Sequence, residues 1–121
     1  MAKNKILVVD DSATETILIT APLRAEGYDV ITAKDGDEAL MRLDTERPDL
    51  VVLDVVMPGK NGFQVCRQIR NDARYSTLPV IMLTSKNQVS DKFWGMKQGA
   101  TAYMTKPFVS ELLLEAIRQH V

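Results

Sequence analysis

Residues 6–12 read Ile-Leu-Val-Val-Asp-Asp-Ser, an uninterrupted apolar run that ends in two aspartates. Two further runs have the same character, Leu-Val-Val-Leu at 50–53 and Val-Ile-Met-Leu at 80–83. None of them alternates apolar with polar residues, which is typical of strands covered by helices on both faces of a parallel sheet. Weaker apolar segments at 30–33 and 102–105 predict two more strands, so we expect five.

Between the predicted strands, apolar residues recur at the spacing of a helix. The predicted apolar faces consist of Thr14, Ile17, Leu18 and Ala21 in the first helix; Ala39, Leu40 and Leu43 in the second; Gly62, Val65, Cys66 and Ile69 in the third; Val89, Phe93 and Met96 in the fourth; and Leu112, Leu113, Ala116 and Ile117 in the fifth. Alternating strands and helices predict an α/β fold with a doubly wound parallel sheet and right-handed crossovers.

Glycine, serine and proline mark helix ends and one irregularity. Gly27 and Gly99 lie where a helix carboxyl terminus requires a left-handed residue, and Ser110 is a candidate N-cap of the last helix. Pro22 falls inside the first helix, where its ring removes a hydrogen bond, so we expect a kink there.

The bulk composition indicates one domain over residues 1–121, because 45% apolar and 26% charged residues are ordinary for a globular protein. The net charge of −1 and the lack of a basic stripe argue against nucleic-acid binding and membrane insertion. Cys66, the single cysteine, excludes an internal disulfide and favours a cytoplasmic protein, and we expect it to be a buried, inert thiol. With His120 as the single histidine, a zinc site is not expected.

Polar residues follow four of the predicted strands. They are Asp10 and Asp11, Asp54, Thr84 and Ser85, and Lys106. Because the carboxyl ends of parallel strands lie at one edge of a sheet, we expect these side chains to meet there. Three crowded carboxylates repel one another, and one lysine cannot neutralise them, so the set predicts a hard divalent cation such as Mg²⁺.

The same residues have simpler interpretations when they are taken singly. Asp11 with Ser12 could cap the first helix, and Thr84 with Ser85 could cap the fourth. Their joint occurrence at four strand ends favours phosphoryl chemistry instead. Asp54 would attack phosphorus, and the metal and Lys106 would stabilise the charge of the transferring group.

Four segments resemble the receiver domains of bacterial two-component response regulators along nearly the whole chain. They are residues 6–12, 54–62 (Asp-Val-Val-Met-Pro-Gly-Lys-Asn-Gly), 79–84 (Pro-Val-Ile-Met-Leu-Thr) and 106–107 (Lys-Pro). The resemblance implies a flavodoxin-like sheet with strand order 2-1-3-4-5 and five helices.

The resemblance also implies a site. Asp54 resembles the phosphoacceptor, and Asp11, Asp54 and the backbone carbonyl of Val56 resemble direct Mg²⁺ ligands. Asp10 would act on the metal through water, and Mn²⁺ could substitute for Mg²⁺.

Five residues around the acceptor are assigned by the same resemblance. Lys106 would bind a phosphoryl oxygen, and Pro107 would follow a cis peptide bond. Thr84 resembles the switch hydroxyl, and Ser85 the small residue that admits the phosphodonor. Tyr103 resembles the aromatic that moves inward after Thr84.

A receiver of this kind is a signalling switch that catalyses its own phosphorylation and dephosphorylation, and is not otherwise an enzyme. The implied partners are a histidine kinase, CheA-like, and a target protein on the face formed by the fourth helix, fifth strand and fifth helix. We expect a stand-alone receiver, since no output domain follows Val121, and a monomer or weak dimer. Residues 91–100 resemble stand-alone receivers of the chemosensory systems that control type IV pili and twitching motility. Trp94 in this segment could contact a partner or pack on Lys97.

Other functions stay open. A haloacid-dehalogenase-like phosphatase also uses an aspartate, Mg²⁺ and a lysine. It requires a second aspartate two residues after the nucleophile on the first strand, where this chain has Ser12, and a cap that 121 residues do not accommodate. A pseudo-receiver that binds partners without phosphorylation is a second alternative, and a phosphate sink for another receiver is a third.

Overall fold

A five-stranded parallel sheet forms the centre of the structure, a computed structural model that describes residues 4–121. Its strands are β1 (Lys5–Val9), β2 (Asp29–Ala33), β3 (Leu50–Leu53), β4 (Val80–Thr84) and β5 (Ala102–Thr105). The helices are α1 (Ala13–Ala25), α2 (Gly36–Glu46), α3 (Gly62–Asn71), α4 (Val89–Lys97) and α5 (Ser110–Arg118), with a 3₁₀ turn at Ala73–Tyr75. The strand order is β2-β1-β3-β4-β5, which confirms the predicted flavodoxin-like fold.

The three central strands are buried on both faces, as their continuous apolar sequences predict. Leu7 and Val9 of β1 pack with residues of α2 and α3 such as Leu43, and the alternate β1 residues pack with α1 and α5. Burying one such leucine or valine side chain stabilises the fold by about 1.5–3 kcal/mol. The sheet core therefore outweighs the exposed ion pairs, which contribute about 0–1 kcal/mol each.

The predicted apolar face of α1 is wrong, although the helix itself is confirmed. Ile17 and Leu18 are 65% and 54% exposed, whereas Ile19, Thr20 and Leu23 are buried. Two stripes of this helix have the same 3.6-residue spacing, and the sheet receives the one that carries Ile19 and Leu23. Periodicity thus located the helix but did not select the stripe.

The predicted apolar face of α4 is wrong in the same sense. Val89, Phe93 and Met96 are 87%, 63% and 43% exposed, and within the helix only Gly95 is buried. A Cβ atom at Gly95 would lie 2.8 Å from the Tyr103 ring and 2.9 Å from Met82 Sδ. The helix therefore approaches the sheet through a glycine, and its large apolar side chains face outward.

The glycine C-caps are confirmed, since Gly27 and Gly99 have φ of 95° and 103°. The N-cap predicted at Ser110 is wrong. Ser110 is the first residue of α5. The N-cap of this helix is Val109, whose side chain cannot accept a hydrogen bond from a backbone N–H of the first turn. Helix α1 continues through Pro22 to Ala25, and the kink stays a prediction.

Candidate functional site

The three aspartates meet at the carboxyl edge of the sheet. Asp10 and Asp11 follow β1, Asp54 follows β3, and these two strands are neighbours in the sheet. One carboxylate oxygen from each aspartate lies within 4.8 Å of the others. They line an open cavity of about 470 Å³ together with Lys106 and Ser85. The structure therefore brings together the carboxylates and the lysine that the sequence predicted to meet.

The two oxygens of the Asp54 carboxylate have different surroundings. Oδ1 accepts hydrogen bonds from the backbone N–H groups of Val55 (2.7 Å) and Val56 (3.2 Å). Oδ2 lies 3.5 Å from Lys106 Nζ. The two backbone hydrogen bonds hold the carboxylate in one orientation and leave Oδ2 without a backbone donor. Asp54 is only 7% exposed, so few water molecules compete for these bonds.

Lys106 reaches the aspartates from the end of β5. Its ammonium donates to Asp10 Oδ2 at 2.7 Å and to Asp54 Oδ2 at 3.5 Å, and its side chain is 11% exposed. Burial alone lowers the pKa of Lys106. The hydrogen bond to Asp10 and the negative charges of Asp54 and Asp10 outweigh burial and raise the pKa above its ordinary value. The lysine is thus a fixed cation, and the Lys106–Pro107 peptide bond is cis, as predicted.

Asp10 and Asp11 differ in how much of their carboxylate is free. Asp10 is buried, and its oxygens accept from the Ser12 backbone N–H (2.9 Å) and from Lys106. Asp11 is exposed and makes no hydrogen bond within residues 4–121. The simpler capping interpretation holds for Ser12, whose hydroxyl accepts from the Glu15 N–H. Asp11 is therefore available to bind a cation directly, whereas Asp10 is already engaged.

The donor set fits a divalent metal. Three carboxylates against one ammonium leave net negative charge at the site, and Glu15 in the first turn of α1 adds to it. Carboxylate oxygens are the ligands that Mg²⁺ and Mn²⁺ prefer. The three carboxylates therefore fit a divalent cation such as Mg²⁺, and among them only the Asp11 carboxylate accepts no hydrogen bond within residues 4–121.

Thr84 and Tyr103 are joined through the backbone of Lys86. The Thr84 hydroxyl accepts from the Lys86 N–H at 3.3 Å, and the Tyr103 hydroxyl donates to the Lys86 carbonyl at 2.8 Å. Thr84 is fully buried and does not line the cavity, in contrast to the prediction, and it does not cap α4, whose N-cap is Gln88. Burial raises the pKa of Tyr103 to about 12, with the charges of Asp91 and Asp54 adding to the effect.

The remaining predicted residues lie around the cavity mouth. Ser85 is exposed there, and the side chain of Val56 is 51% exposed beside Asp54. Pro107 lines the same opening. These positions leave an open path from solvent to Asp54 Oδ2.

Sequence reasoning missed three contributors to this site. Glu15 lines the cavity from the first turn of α1, four residues after Asp11, a position that could have revealed it. The backbone of Lys86 gives no sequence signal, because any residue supplies it. Gly62 was placed on the apolar face of α3 and at the end of the segment 54–62, but its contact with the backbone after Asp54 was not predicted.

Gly62 allows α3 to start directly against the chain that follows Asp54. A Cβ atom there would overlap the backbone carbonyl of Asp54 and lie 2.7 Å from the Cα of Val55. The Gly62 N–H donates to the Val55 carbonyl at 2.9 Å. The loop after Asp54 is thus folded back on itself, and this fixes the two N–H groups that hold Oδ1.

Among residues 4–121, no helix is long and apolar enough to cross a membrane. The chain is similar to curated and solved proteins over nearly its full length. It is 48% identical to the protein PilH of Pseudomonas aeruginosa over 93% of each chain. It is 42% identical to PilG of the same organism, covering 97% of this chain and 87% of PilG. The crystal structure of the chemotaxis response regulator CheY4 of Vibrio cholerae superposes with a TM-score of 0.91 at 35% identity, covering 99% of this chain and all of the other.

The family model described as the response regulator receiver domain matches residues 6–118, which include every strand-end residue of the acidic cavity. Sheet order, site geometry and sequence similarity agree, and the chain belongs to the response regulator receiver domain family of two-component systems.

Proposed function

We propose that this chain is a phosphorylatable switch in which Asp54 accepts a phosphoryl group from a histidine kinase. The observation that carries the proposal is that the two oxygens of the Asp54 carboxylate have different partners. Two backbone N–H groups hold Oδ1, while Oδ2 faces Lys106 at 3.5 Å and the open cavity. A carboxylate fixed in this way is oriented for in-line attack.

In the proposed reaction Asp54 Oδ2 attacks the phosphorus of a phosphohistidine. A P–O bond forms, the P–N bond breaks, and its electron pair returns to the imidazole nitrogen. A phosphoryl group on Oδ2 would lie within reach of Lys106, which neutralises part of its charge. Hydrolysis of the resulting acyl phosphate by water would return the aspartate, so the domain would catalyse both its own phosphorylation and its dephosphorylation.

Mg²⁺, with Mn²⁺ as a substitute, would be held by Asp11, Asp54 and the Val56 carbonyl, with Asp10 acting through water. When bound, the metal supplies positive charge that offsets the charge on the phosphoryl oxygens. The free carboxylate of Asp11 and the engaged carboxylate of Asp10 support this division of roles.

The proposed readout runs through Lys86. If Thr84 turns its hydroxyl towards the phosphoryl group, the Lys86 N–H loses its acceptor. The same peptide segment carries the carbonyl that holds Tyr103, so a change at Thr84 would reach the α4–β5–α5 face. That face contains a cavity of about 430 Å³ lined by exposed Val89, Val109 and Leu112, which suits a protein target.

The physiological part of the proposal is a cytoplasmic chemosensory system that controls type IV pili. Similarity to PilH and PilG, together with the resemblance of residues 91–100 to twitching-motility receivers, supports it. A CheA-like kinase would be the phosphodonor. We propose that residues 1–121 act as one domain, as a monomer or weak dimer.

The first test is the mass of the intact protein after incubation with acetyl phosphate, with and without Mg²⁺. We expect the mass to increase by one phosphoryl group only with Mg²⁺, and we expect no increase in Asp54→Asn. Asp29→Asn is the matched control, because Asp29 is an exposed aspartate at the opposite edge of the sheet and should leave the gain intact. If the wild-type protein gains no mass under either condition, the pseudo-receiver alternative replaces the switch.

A further inference from the structure

A second groove lies at the opposite end of the molecule from the aspartates, between the carboxyl-terminal halves of α3 and α4. Its volume is about 510 Å³. The residues that line it are Arg67, Arg70, Asn71, Trp94, Lys97, Gln98 and Gly99. It shares no residue with the acidic cavity or with the cavity on the α4–β5–α5 face. Whatever the groove binds, it binds apart from the phosphoryl chemistry.

Side chains of α3 bond to the segment that directly follows α4 and hold one end of the groove together. The Arg70 guanidinium of α3 donates to the Gly99 carbonyl at 2.8 Å and to the Thr101 hydroxyl at 3.3 Å. Cys66 Sγ lies 3.5 Å from the Gln98 carbonyl. Because these bonds exist before any ligand arrives, the end of the groove at residues 98–101 is preorganised, which lowers the cost of binding there.

The groove is a local concentration of positive charge on a chain whose net charge is −1. Three of its seven lining residues are cationic and none is acidic. Arg67 and Lys97 are exposed and form no ion pair within the described part of the chain. Lys97 Nζ lies 5.9 Å from the centroid of the Phe93 ring, a contact that leaves its charge uncompensated. The groove therefore attracts anionic groups.

Trp94, the single tryptophan, is 50% exposed at the edge of the groove. Tryptophan and arginine are the side chains most enriched at the energetic centres of protein interfaces. The Lys97 ammonium, whose side chain is one of the two contacts considered for Trp94, lies over the Phe93 ring. The exposed half of Trp94 is thus available to an apolar or aromatic residue of a ligand.

A protein segment fits this surface better than nucleic acid does. Nucleic-acid binding relies on an extended basic surface that neutralises many phosphates, and this groove offers two free cations on an acidic chain. Two cations beside one aromatic side chain match a short acidic segment that also carries an apolar residue.

We propose that the α3–α4 groove binds an acidic segment of a partner protein, with Arg67 and Lys97 contacting its carboxylates and Trp94 its apolar side chain. This inference goes beyond the phosphorylation switch and does not depend on it. It is tested on the unphosphorylated protein without Mg²⁺, so its failure and that of the switch are distinguishable.

The experiment titrates the full chain with a decaglutamate peptide that carries a central phenylalanine and follows the emission of Trp94. We expect a saturable change, and a dissociation constant about tenfold weaker in the double variant Arg67→Gln/Lys97→Gln. The matched control is Lys34→Gln/Arg118→Gln, which removes the same charge from exposed sites outside the groove and should change affinity less than about twofold.

Three results would overturn the proposal. The first is a titration without saturation, and the second is equal weakening in both double variants, which would indicate general charge attraction. The third is tighter binding of a single-stranded oligonucleotide of the same charge than of the peptide, with loss of that affinity in the Arg67/Lys97 double variant. That outcome would make the groove a nucleic-acid site.

Discussion

Helices α3 and α4 form the two walls of one groove, yet α3 buries most of its apolar side chains and α4 exposes most of them. In α3, Val65, Cys66 and Ile69 are at most 1% exposed. In α4, Phe93 and Met96 are 63% and 43% exposed, although they follow the same helical spacing. A helical repeat of apolar residues thus identifies a helix, whereas the neighbours of the helix decide whether that face is core or interaction surface.

The difference follows from what each helix presents to the sheet. Helix α3 inserts three apolar side chains into the core that also contains Leu53. Helix α4 presents Gly95, against which the ring of Tyr103 packs. Few buried side chains hold α4, so it should open or shift at lower free energy than α3. We regard α3 as the fixed wall and α4 as the adjustable one.

The largest expected difference concerns the accessibility of thiols on the two helices. Burial raises the pKa of Cys66 from 9.0 to about 11, an effect that the charge of Arg70 partly offsets. The native thiol should therefore stay protonated as well as inaccessible at about pH 8. In a Phe93→Cys variant, we expect the introduced, exposed thiol at position 93 to react with iodoacetamide about a thousand times faster than the buried thiol of Cys66.

Intact mass against time measures this prediction, and labelling in urea is the control that should modify both thiols. Because the raised pKa favours the protonated thiol in the folded state, stability should be unaffected below about pH 9 and should fall as the pH rises towards 11. Two labels added at comparable rates in native buffer would contradict the view of α3 as the fixed wall.

The next difference is in stability. Ile69→Ala removes a fully buried side chain from α3 and should lower the free energy of unfolding by about 3 kcal/mol. Phe93→Ala removes an exposed ring from α4 and should lower it by less than about 1 kcal/mol, since mainly the contact with Lys97 is lost. Urea denaturation followed by circular dichroism gives both values. Equal losses would mean that α4 is packed as firmly as α3.

The fold was predictable because its strongest signals are local. Continuous apolar runs such as residues 50–53 occur where both faces of a strand are buried, and Gly27 and Gly99 end helices in a conformation that other residues adopt with strain. The meeting of Asp54 with Lys106 was also predictable, because parallel strands bring their carboxyl ends to one edge.

The features that sequence reasoning missed depend on packing between distant segments. The buried stripe of α1 is set by the sheet beneath it, and nothing in the spacing favours Ile19 over Ile17. The link from Thr84 to Tyr103 passes through the backbone of Lys86, whose side chain carries no information about it. A role performed by a backbone N–H or carbonyl group cannot be predicted from the type of residue at that position.

The smallest expected effect tests why α4 presents a glycine. In Gly95→Ala, alanine gains about 1 kcal/mol of helix propensity, but its Cβ would meet the Tyr103 ring at 2.8 Å. Overpacking of this kind is destabilising by about 1–3 kcal/mol, so we expect a net loss of about 1 kcal/mol. In a Tyr103→Ala background the ring is absent and Met82 can move aside, so the same substitution should become neutral or stabilising. A double-mutant cycle in urea measures this coupling. Equal effects in both backgrounds would show that Gly95 does not accommodate Tyr103, and the hydrogen bond from Tyr103 to Lys86 would then have to be maintained by other contacts of the ring.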